Sequence, residues 1–259
     1  MQERRLPEEL MKLIDGYNWH RVTIGRSESQ TYRLTGTAGS CFLKMHAANA
    51  IERLCDERSR LEWLQGRLPV PKVLYYGVNG WGEYLLMSEA AGLDASNKMP
   101  DLTDRQLMRL LGEGLRAVHE IPIRSCPFDR TLDAVLPEAG RRVRLGLVDE
   151  DDFDSNRKGM QAEALYEELL LKRPFDEDLV FTHGDYCLPN IIVNEGRISS
   201  FIDWGRGGIA DRYQDIALAV RSIANNFGEE QIPAFMESYG MAEPDLAKIE
   251  YYKLLDEFF

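Results

Sequence analysis

The periodicity of the apolar residues changes once along this chain, and that change constrains its fold more than any other feature. Up to about residue 90, short segments rich in aromatic and β-branched residues alternate with glycine-containing turns, which is typical of antiparallel strands. After Gly92 the apolar residues recur mainly at helical spacing. The chain is therefore predicted to be α+β, with a small β-rich lobe at residues 1–90 and a larger, mainly helical lobe at residues 91–259.

The same pattern predicts the individual elements. In the first lobe we predict helices at 7–15 and 48–65 and five strands, at 19–24, 30–35, 40–45, 72–78 and 83–87. In the second lobe we predict six helices, at 104–120, 132–144, 161–171, 211–225, 229–239 and 245–258. Three short strands are predicted among these helices, at 179–182, 191–193 and 198–202.

Charge and composition exclude several classes of protein. The net charge is −12, and it is uneven, because residues 1–91 carry +1 and residues 92–259 carry −13. An acidic chain is poorly suited to bind nucleic acid, which needs an excess of Lys and Arg. No run of about 18 apolar residues is present, so no membrane span is expected. The four cysteines lack the spacing of a zinc site or of a disulfide framework, and we expect reduced thiols in a cytoplasmic protein.

A polar loop between two predicted strands carries the residue types that phosphoryl transfer to an alcohol requires. In the run at residues 181–190, Asp185 and Asn190 stand five positions apart, and Asp203 follows the next apolar strand. The reaction needs an acceptor for the hydroxyl proton and oxygen ligands for magnesium on the triphosphate. We predict Asp185 as the base and Asn190 and Asp203 as metal ligands, although each residue alone could be a turn former or a helix cap. His183 is expected to orient the loop through hydrogen bonds.

The letters around these residues resemble one family. His-Gly-Asp-x-x-x-x-Asn at 183–190 and the run from Phe-Ile-Asp-Trp-Gly-Arg to Tyr-Gln-Asp-Ile-Ala at 201–217 resemble the aminoglycoside phosphotransferases. The last nine residues and Leu-Pro-Val-Pro-Lys-Val at 68–73 are similar to its 3′-phosphotransferase branch, which acts on kanamycin and neomycin. The resemblance covers nearly the whole chain and implies a protein-kinase-like, two-lobed fold. In such folds Asp215 bonds to the backbone of the catalytic loop.

The resemblance also implies how the triphosphate is held. Lys44, on a predicted strand, would contact the ATP phosphates and pair with Glu57 on the following helix. The residues alone leave Glu52 and Glu62 as alternative partners. The chain has no glycine-rich kinase loop, and Ser27 in the shortened loop is expected to contact phosphate.

For the adenine ring, the resemblance implies stacking on Phe42 and contacts to the backbone of Ser88 and Ala90, between the lobes. A core position is the alternative for Phe42. These residues do not decide between ATP and GTP.

A polycationic substrate should meet carboxylates, which bind ammonium groups as charge-assisted acceptors. Five acids occur in the six residues 149–154, and the last four positions hold two more together with the terminal carboxylate. A solvated acidic loop is the alternative interpretation. The resemblance implies the following substrate-binding residues: Asp152, Asp154, Arg206, Arg221, Asn225, Asp256, Glu257 and Phe259. Asn225 departs from the family, whose members often have an acidic residue there.

Together these observations predict an enzyme that uses ATP and Mg²⁺ to phosphorylate the 3′-hydroxyl of aminoglycosides and so confers resistance. Its partner would be the small-molecule antibiotic, with no nucleic acid and no membrane, and the chain would be a monomer or a weak dimer. Two alternatives remain open from the sequence. One is a kinase of another small alcohol, such as choline or a macrolide, on the same fold. The other is a nucleotide-binding pseudokinase, although every catalytic position is intact.

Overall fold

The computed structural model describes residues 6–22 and 29–259. The contacts that residues make in space divide the chain into two compact units. The first contains residues Met1–Leu93, to which the chain returns with Ile192–Asn194 and Ile198–Arg206, and the second contains the remainder. The division predicted at residue 90 did not include this return, which carries Asp203 into the first unit.

The first unit is built on a five-stranded antiparallel sheet. Its strands follow the order β1-β2-β3-β5-β4. The first three strands form the predicted meander. Strand β5 pairs with β3 on one side and with the edge strand β4 on the other. The elements are α1 (Glu8–Leu13), β1 (Asn18–Arg21), β2 (Gln30–Gly36), β3 (Gly39–Ala47), α2 (Leu54–Leu64), β4 (Val73–Asn79) and β5 (Gly82–Ser88).

Alternation along β3 separates a core face from a functional face. Cys41 and Leu43 are buried in a cluster that also contains Leu10 of α1. Because successive strand residues point to opposite faces, Phe42 and Lys44 lie together on the other face of the sheet, where both are half-buried. The strand pattern thus brings the predicted adenine and phosphate residues to one surface.

Helix α2 begins six residues later than predicted, at Leu54 instead of Ala48. The amide of Ala48 donates to the carbonyl oxygen of Trp81, 3.1 Å away, and Arg53 is in an extended conformation. The helix then starts against β5, where a carboxylate oxygen of Glu83 accepts the Cys55 amide at 3.0 Å. A tertiary acceptor therefore sets the start of this helix, and the apolar spacing through Ile51 did not reveal it.

The second unit is mainly helical, as predicted. Two of its helix pairs, α3 with α7 and α6 with α8, make extensive contacts. Helix α3 begins with a capping box in which Thr103 and Gln106 satisfy each other's backbone amides. The helices are α3 (Asp104–His119), α4 (Leu132–Arg144), α5 (Ala162–Leu171), α6 (Tyr213–Phe227), α7 (Ile232–Tyr239) and α8 (Leu246–Asp256).

Short strands frame the predicted catalytic loop. They are β6 (Leu93–Asp94), β7 (Leu179–Thr182), β8 (Ile191–Asn194), β9 (Arg197–Phe201) and β10 (Gly208–Asp211). Strand β7 pairs antiparallel with β10, and β6, β8 and β9 form a small sheet. Strands β6 and β10 were not predicted. In the part of the chain that the structure describes, no helix has the length and apolar composition to cross a bilayer.

Candidate active site

Lys44 is held between two carboxylates within the first unit. Its Nζ lies 2.8 and 2.9 Å from the two carboxylate oxygens of Glu57 and 3.1 Å from Oδ1 of Asp203. The pair that the resemblance implied is therefore present. The two alternative glutamates have other partners, since Glu62 lies beside Arg58 and Glu52 beside Arg206.

The electrostatics keep this lysine charged. Burial alone would lower the pKa of Lys44, but the negative charges of Asp203 and Glu57 raise it above its ordinary value. Glu57 has a side chain only 5% exposed, whereas that of Asp203 is 44% exposed. Asp203 is thus the member of the triad that a ligand can reach.

Asp203 sits in a strained backbone conformation. Its φ of 63° lies in the left-handed region, which non-glycine residues adopt at a cost of about 1 kcal/mol or more. The next residue, Trp204, is fully buried and donates from Nε1 to the carbonyl oxygen of Phe201 at 2.9 Å. The buried indole fixes the turn after β9 and so directs the Asp203 carboxylate towards Lys44.

The residues predicted to contact the adenine ring also lie in the first unit. Phe42 shares the face of Lys44, and Ser88 ends β5. The Ser88 amide already donates to the carbonyl oxygen of Lys72 at 2.9 Å, so its carbonyl is the backbone group proposed for adenine, together with the backbone of Ala90. Ser27 lies outside the described residues.

Within the second unit, Asn190 fixes the carboxylate of Asp185. The amide nitrogen of Asn190 donates to Oδ2 of Asp185 at 2.8 Å and to its carbonyl oxygen at 3.0 Å. Because both donations come from the nitrogen, the amide oxygen of Asn190 is the atom proposed for magnesium. The Asp185 amide donates to Nδ1 of His183 at 3.3 Å, the kind of contact that the orienting role predicted for this histidine requires.

Asp215 holds the start of the catalytic loop, as predicted. Its fully buried carboxylate accepts the amides of His183 and Gly184 at 2.7 and 2.8 Å. Nε2 of His119 lies 3.1 Å away on the same carboxylate, and its Nδ1 lies 2.7 Å from the Tyr239 hydroxyl. His119 and Tyr239 were missed because single residues on α3 and α7 carry no local signal of this contact.

Replacing Asp215 with alanine is expected to lower the free energy of unfolding by about 3 kcal/mol or more. The change strands two buried amides and His119, and each unsatisfied buried polar group costs about 1–3 kcal/mol. Urea unfolding followed by circular dichroism measures the loss. Asp133→Ala is the matched control, since this exposed aspartate pairs with Arg173 at the surface. A loss no larger than in the control would contradict the assignment.

On the proposed substrate side, three of the predicted acids have arginine partners in the second unit. Arg221 forms a close ion pair with Asp256 and lies 3.6 Å from Asp154. Glu257 is paired with Arg157 at 3.0 Å. Burial alone would lower the pKa of Arg221, but the charge of Asp256 raises it, so the guanidinium stays protonated. The sequence prediction missed Arg157, although the basic residues Arg157 and Lys158 just after the acidic run were an available signal.

The remaining predicted substrate residues lie in different surroundings. Asp152 and Asn225 are exposed. The Phe259 ring lies under the guanidinium groups of Arg130 and Arg142, at 5.5 and 5.6 Å. Arg206 belongs to the first unit, where its Nη2 is 3.5 Å from Glu52.

The residue types predicted as metal ligands suit magnesium. A carboxylate of Asp203 and an amide oxygen of Asn190 are the hard oxygen ligands that this ion prefers, and it usually takes few protein ligands besides phosphates and water. Among residues 6–22 and 29–259, no group of three His, Cys, Asp or Glu side chains could hold a metal. The fold and these contacts define a kinase-like phosphotransferase.

Comparison with known proteins gives the family. Residues 20–252 match the phosphotransferase enzyme family. The aminoglycoside 3′-phosphotransferases of Niallia circulans and Enterococcus faecalis are 42% and 39% identical to this chain. These alignments cover 99% of this chain and 98% of the first relative, and 100% of both chains for the second. The chain therefore belongs to the phosphotransferase enzyme family and, within it, to the aminoglycoside 3′-phosphotransferases.

Solved structures agree with this assignment. The crystal structure of an aminoglycoside 3′-phosphotransferase of type VIII is 35% identical, with a TM-score of 0.89 over 97% of each chain. An aminoglycoside phosphotransferase from Streptomyces rimosus, solved in complex with ADP and streptomycin, is 27% identical. Its TM-score is 0.82, over 96% of this chain and 95% of that one. The predicted protein-kinase-like fold is confirmed.

Proposed function

We propose that this enzyme transfers the γ-phosphoryl group of magnesium ATP to the 3′-hydroxyl of aminoglycosides such as kanamycin and neomycin. The observation that carries the proposal is the orientation of the Asp185 carboxylate. It accepts a hydrogen bond from Asn190, and Asp215 accepts the backbone amides at the start of the same loop. Its relatives named as 3′-phosphotransferases support the position of the transfer.

Asp185 is proposed to accept the proton of the reacting hydroxyl. As the hydroxyl oxygen forms its bond to the γ-phosphorus, the bond from that phosphorus to the bridging oxygen of ADP breaks, and the proton passes to the carboxylate. Asn190 presents the carboxylate in one orientation, which favours a short proton path. ADP and the phosphorylated aminoglycoside are the products.

The phosphates are proposed to meet Lys44, Asp203 and Asn190. Lys44 is a charged donor whose direction is fixed by Glu57. Asp203 and Asn190 would hold magnesium, which neutralises charge on the phosphate oxygens when bound. Phe42, Ser88 and Ala90 are proposed to contact the adenine ring of ATP. Ser27 remains proposed for phosphate contact.

Transfer is proposed to be direct, with no phosphorylated cysteine on the way. Cys187 stands two residues from the base, but burial, and after it the charge of Asp185, raises the pKa of its thiol well above the ordinary value. A thiol that stays protonated is a poor nucleophile. The four cysteines are reduced thiols, which suits the reducing, ATP-containing cytoplasm that we infer as the site of action.

The experiment is an ADP-release assay with purified protein, magnesium ATP and paired antibiotics. We expect turnover with kanamycin, neomycin and ribostamycin and none with tobramycin or gentamicin, which lack the 3′-hydroxyl. Choline and erythromycin serve as controls for the other small-alcohol kinases, and neither should be turned over. Turnover of tobramycin at the rate of kanamycin would refute the assignment of the 3′ position.

A further inference from the structure

Glu257 was predicted to bind ammonium, yet its carboxylate is the least exposed of the proposed acids. Its side chain is 4% exposed. Both oxygens lie 3.2 Å from the amide nitrogen of Asp154, and one lies 3.0 Å from Nη1 of Arg157. This carboxylate is thus committed to protein contacts that join the residue after α8 to the acidic segment at residues 149–154.

Arg157 is the cation at the centre of this junction. Its side chain is 9% exposed and lies 3.0 Å from Glu257, 3.6 Å from Asp154 and 4.0 Å from Glu250. Its backbone amide donates to the carbonyl oxygen of Asp154 at 2.7 Å, which closes a turn. Burial, followed by the charge of Asp154, raises the pKa of Glu257, so the carboxylate depends on a nearby cation to stay ionised.

The same turn carries an acid that faces the other arginine. Oδ2 of Asp154 lies 3.6 Å from Arg221, which in turn pairs with Asp256. The position of Asp154 therefore depends on the Arg157 side chain through two routes, the direct ion pair at 3.6 Å and the Glu257 carboxylate that accepts the Asp154 amide. Asp154 and Asp256 are among the groups proposed to bind the substrate.

We propose that Arg157 is a positioning residue for aminoglycoside binding, which locks the loop bearing Asp154 onto the C-terminal end of the chain. The inference rests on the proposed function, because it concerns the same substrate. Arg157 need not touch the antibiotic. It acts by holding Glu257, and through it the main chain of Asp154.

A simpler electrostatic argument predicts the opposite sign. A guanidinium near a polycationic substrate repels it, so removing the charge would tighten binding. Burial decides between the two effects. Removing one partner of a buried ion pair leaves an uncompensated charge, which costs more than the screened repulsion between groups separated by water. Without Arg157, the Glu257 carboxylate should move away from the Asp154 amide, and the segment at residues 149–154 should become more mobile.

The test compares Arg157→Met, Arg157→Lys and the control Arg173→Met, which breaks a surface pair with Asp133 in the same unit. At saturating magnesium ATP, we expect the KM for kanamycin to rise about tenfold in Arg157→Met and less in Arg157→Lys, which keeps the charge. The KM for magnesium ATP and kcat should stay within about twofold, and Arg173→Met should match the wild type.

Hydrogen exchange supplies a second readout that does not need turnover. Peptides covering residues 150–160 should exchange faster in Arg157→Met than in the wild type, because the amide of Asp154 loses its acceptor. An unchanged or lower KM for kanamycin, or unchanged exchange, would overturn the inference while leaving the proposed function intact. Absence of aminoglycoside turnover by the wild-type protein would instead refute the proposed function, and this inference with it.

Discussion

Replacing Asp185 with asparagine is expected to lower kcat for kanamycin phosphorylation by about a hundredfold to ten-thousandfold, the range over which a general base contributes. The substitution removes the proton acceptor but preserves the shape of the loop. The new carbonyl oxygen can still accept from Asn190, and the backbone amide can still donate to His183. The KM for magnesium ATP should therefore change little. Steady-state kinetics with each substrate varied in turn measures both parameters.

The matched control is Asp133→Asn, which changes an exposed carboxylate of the same unit. It should retain wild-type kcat. Thermal unfolding in the presence of ATP shows that the Asp185 variant is folded and still binds nucleotide. A kcat within about threefold of the wild type in a folded Asp185→Asn variant would mean that another group accepts the proton.

Replacing Lys44 with methionine is expected to lower kcat/KM for ATP by about a hundredfold to a thousandfold, comparable to the loss of one preorganised donor at a developing charge. Stability should fall as well, by about 3–5 kcal/mol, because Glu57 is left buried without its cation. Because the pKa of Lys44 is raised, the lysine is fully protonated below its ordinary pKa and loses its proton only at higher pH. Activity near neutral pH should not titrate with this residue.

A double variant separates the two effects of that change. Lys44→Met combined with Glu57→Met removes both buried charges, so stability should recover most of the loss while activity does not. Urea unfolding measures the first quantity and ATP-dependent kinetics the second. Recovery of activity in the double variant would show that Lys44 serves only to neutralise Glu57.

Elements with local signals were predicted well. Helix α4 has the predicted bounds, Leu132–Arg144, and so does β7, Leu179–Thr182, because apolar periodicity and flanking turn residues identify both. Helix α2 was predicted too long, since its start depends on Glu83 of a neighbouring strand. Strand β6 has two residues, too few for a periodic pattern, and β10 begins with Gly208 and ends at Asp211, which was predicted to begin a helix. Gly208 of β10 sits where a side chain would meet Phe128, a constraint visible only in three dimensions.

In the candidate site too, local sequence patterns predicted some contacts and missed those between distant residues. Asp185 and Asn190 share a loop, and their spacing along the chain was enough to indicate a common role. The pairing of Lys44 with Glu57 required the resemblance, because the residues alone left two other glutamates. The contact of Arg157 with Glu257 joins residues a hundred positions apart. No short-range pattern encodes such a pair. Three of the acids predicted to bind ammonium, Asp154, Asp256 and Glu257, also have arginine partners.

This arrangement changes how the acidic side of the protein is understood. The net charge of −13 over residues 92–259 suggested a surface open to cations. Asp154 and Asp256 instead share Arg221, which orients their carboxylates before any substrate binds. Glu257 is committed to Arg157. Preorganised acceptors bind ammonium groups without the entropic cost of ordering flexible side chains. We expect drug preference to follow from this fixed geometry as well as from total charge.

The most direct test of the proposed activity is the position of the phosphate on the product. Kanamycin is incubated with the purified protein and magnesium ATP, and the product is examined by phosphorus–proton correlation NMR. We predict a single phosphate ester, coupled to the proton on the 3′ carbon. An ester at any other hydroxyl, or recovery of unmodified kanamycin, would contradict the proposal.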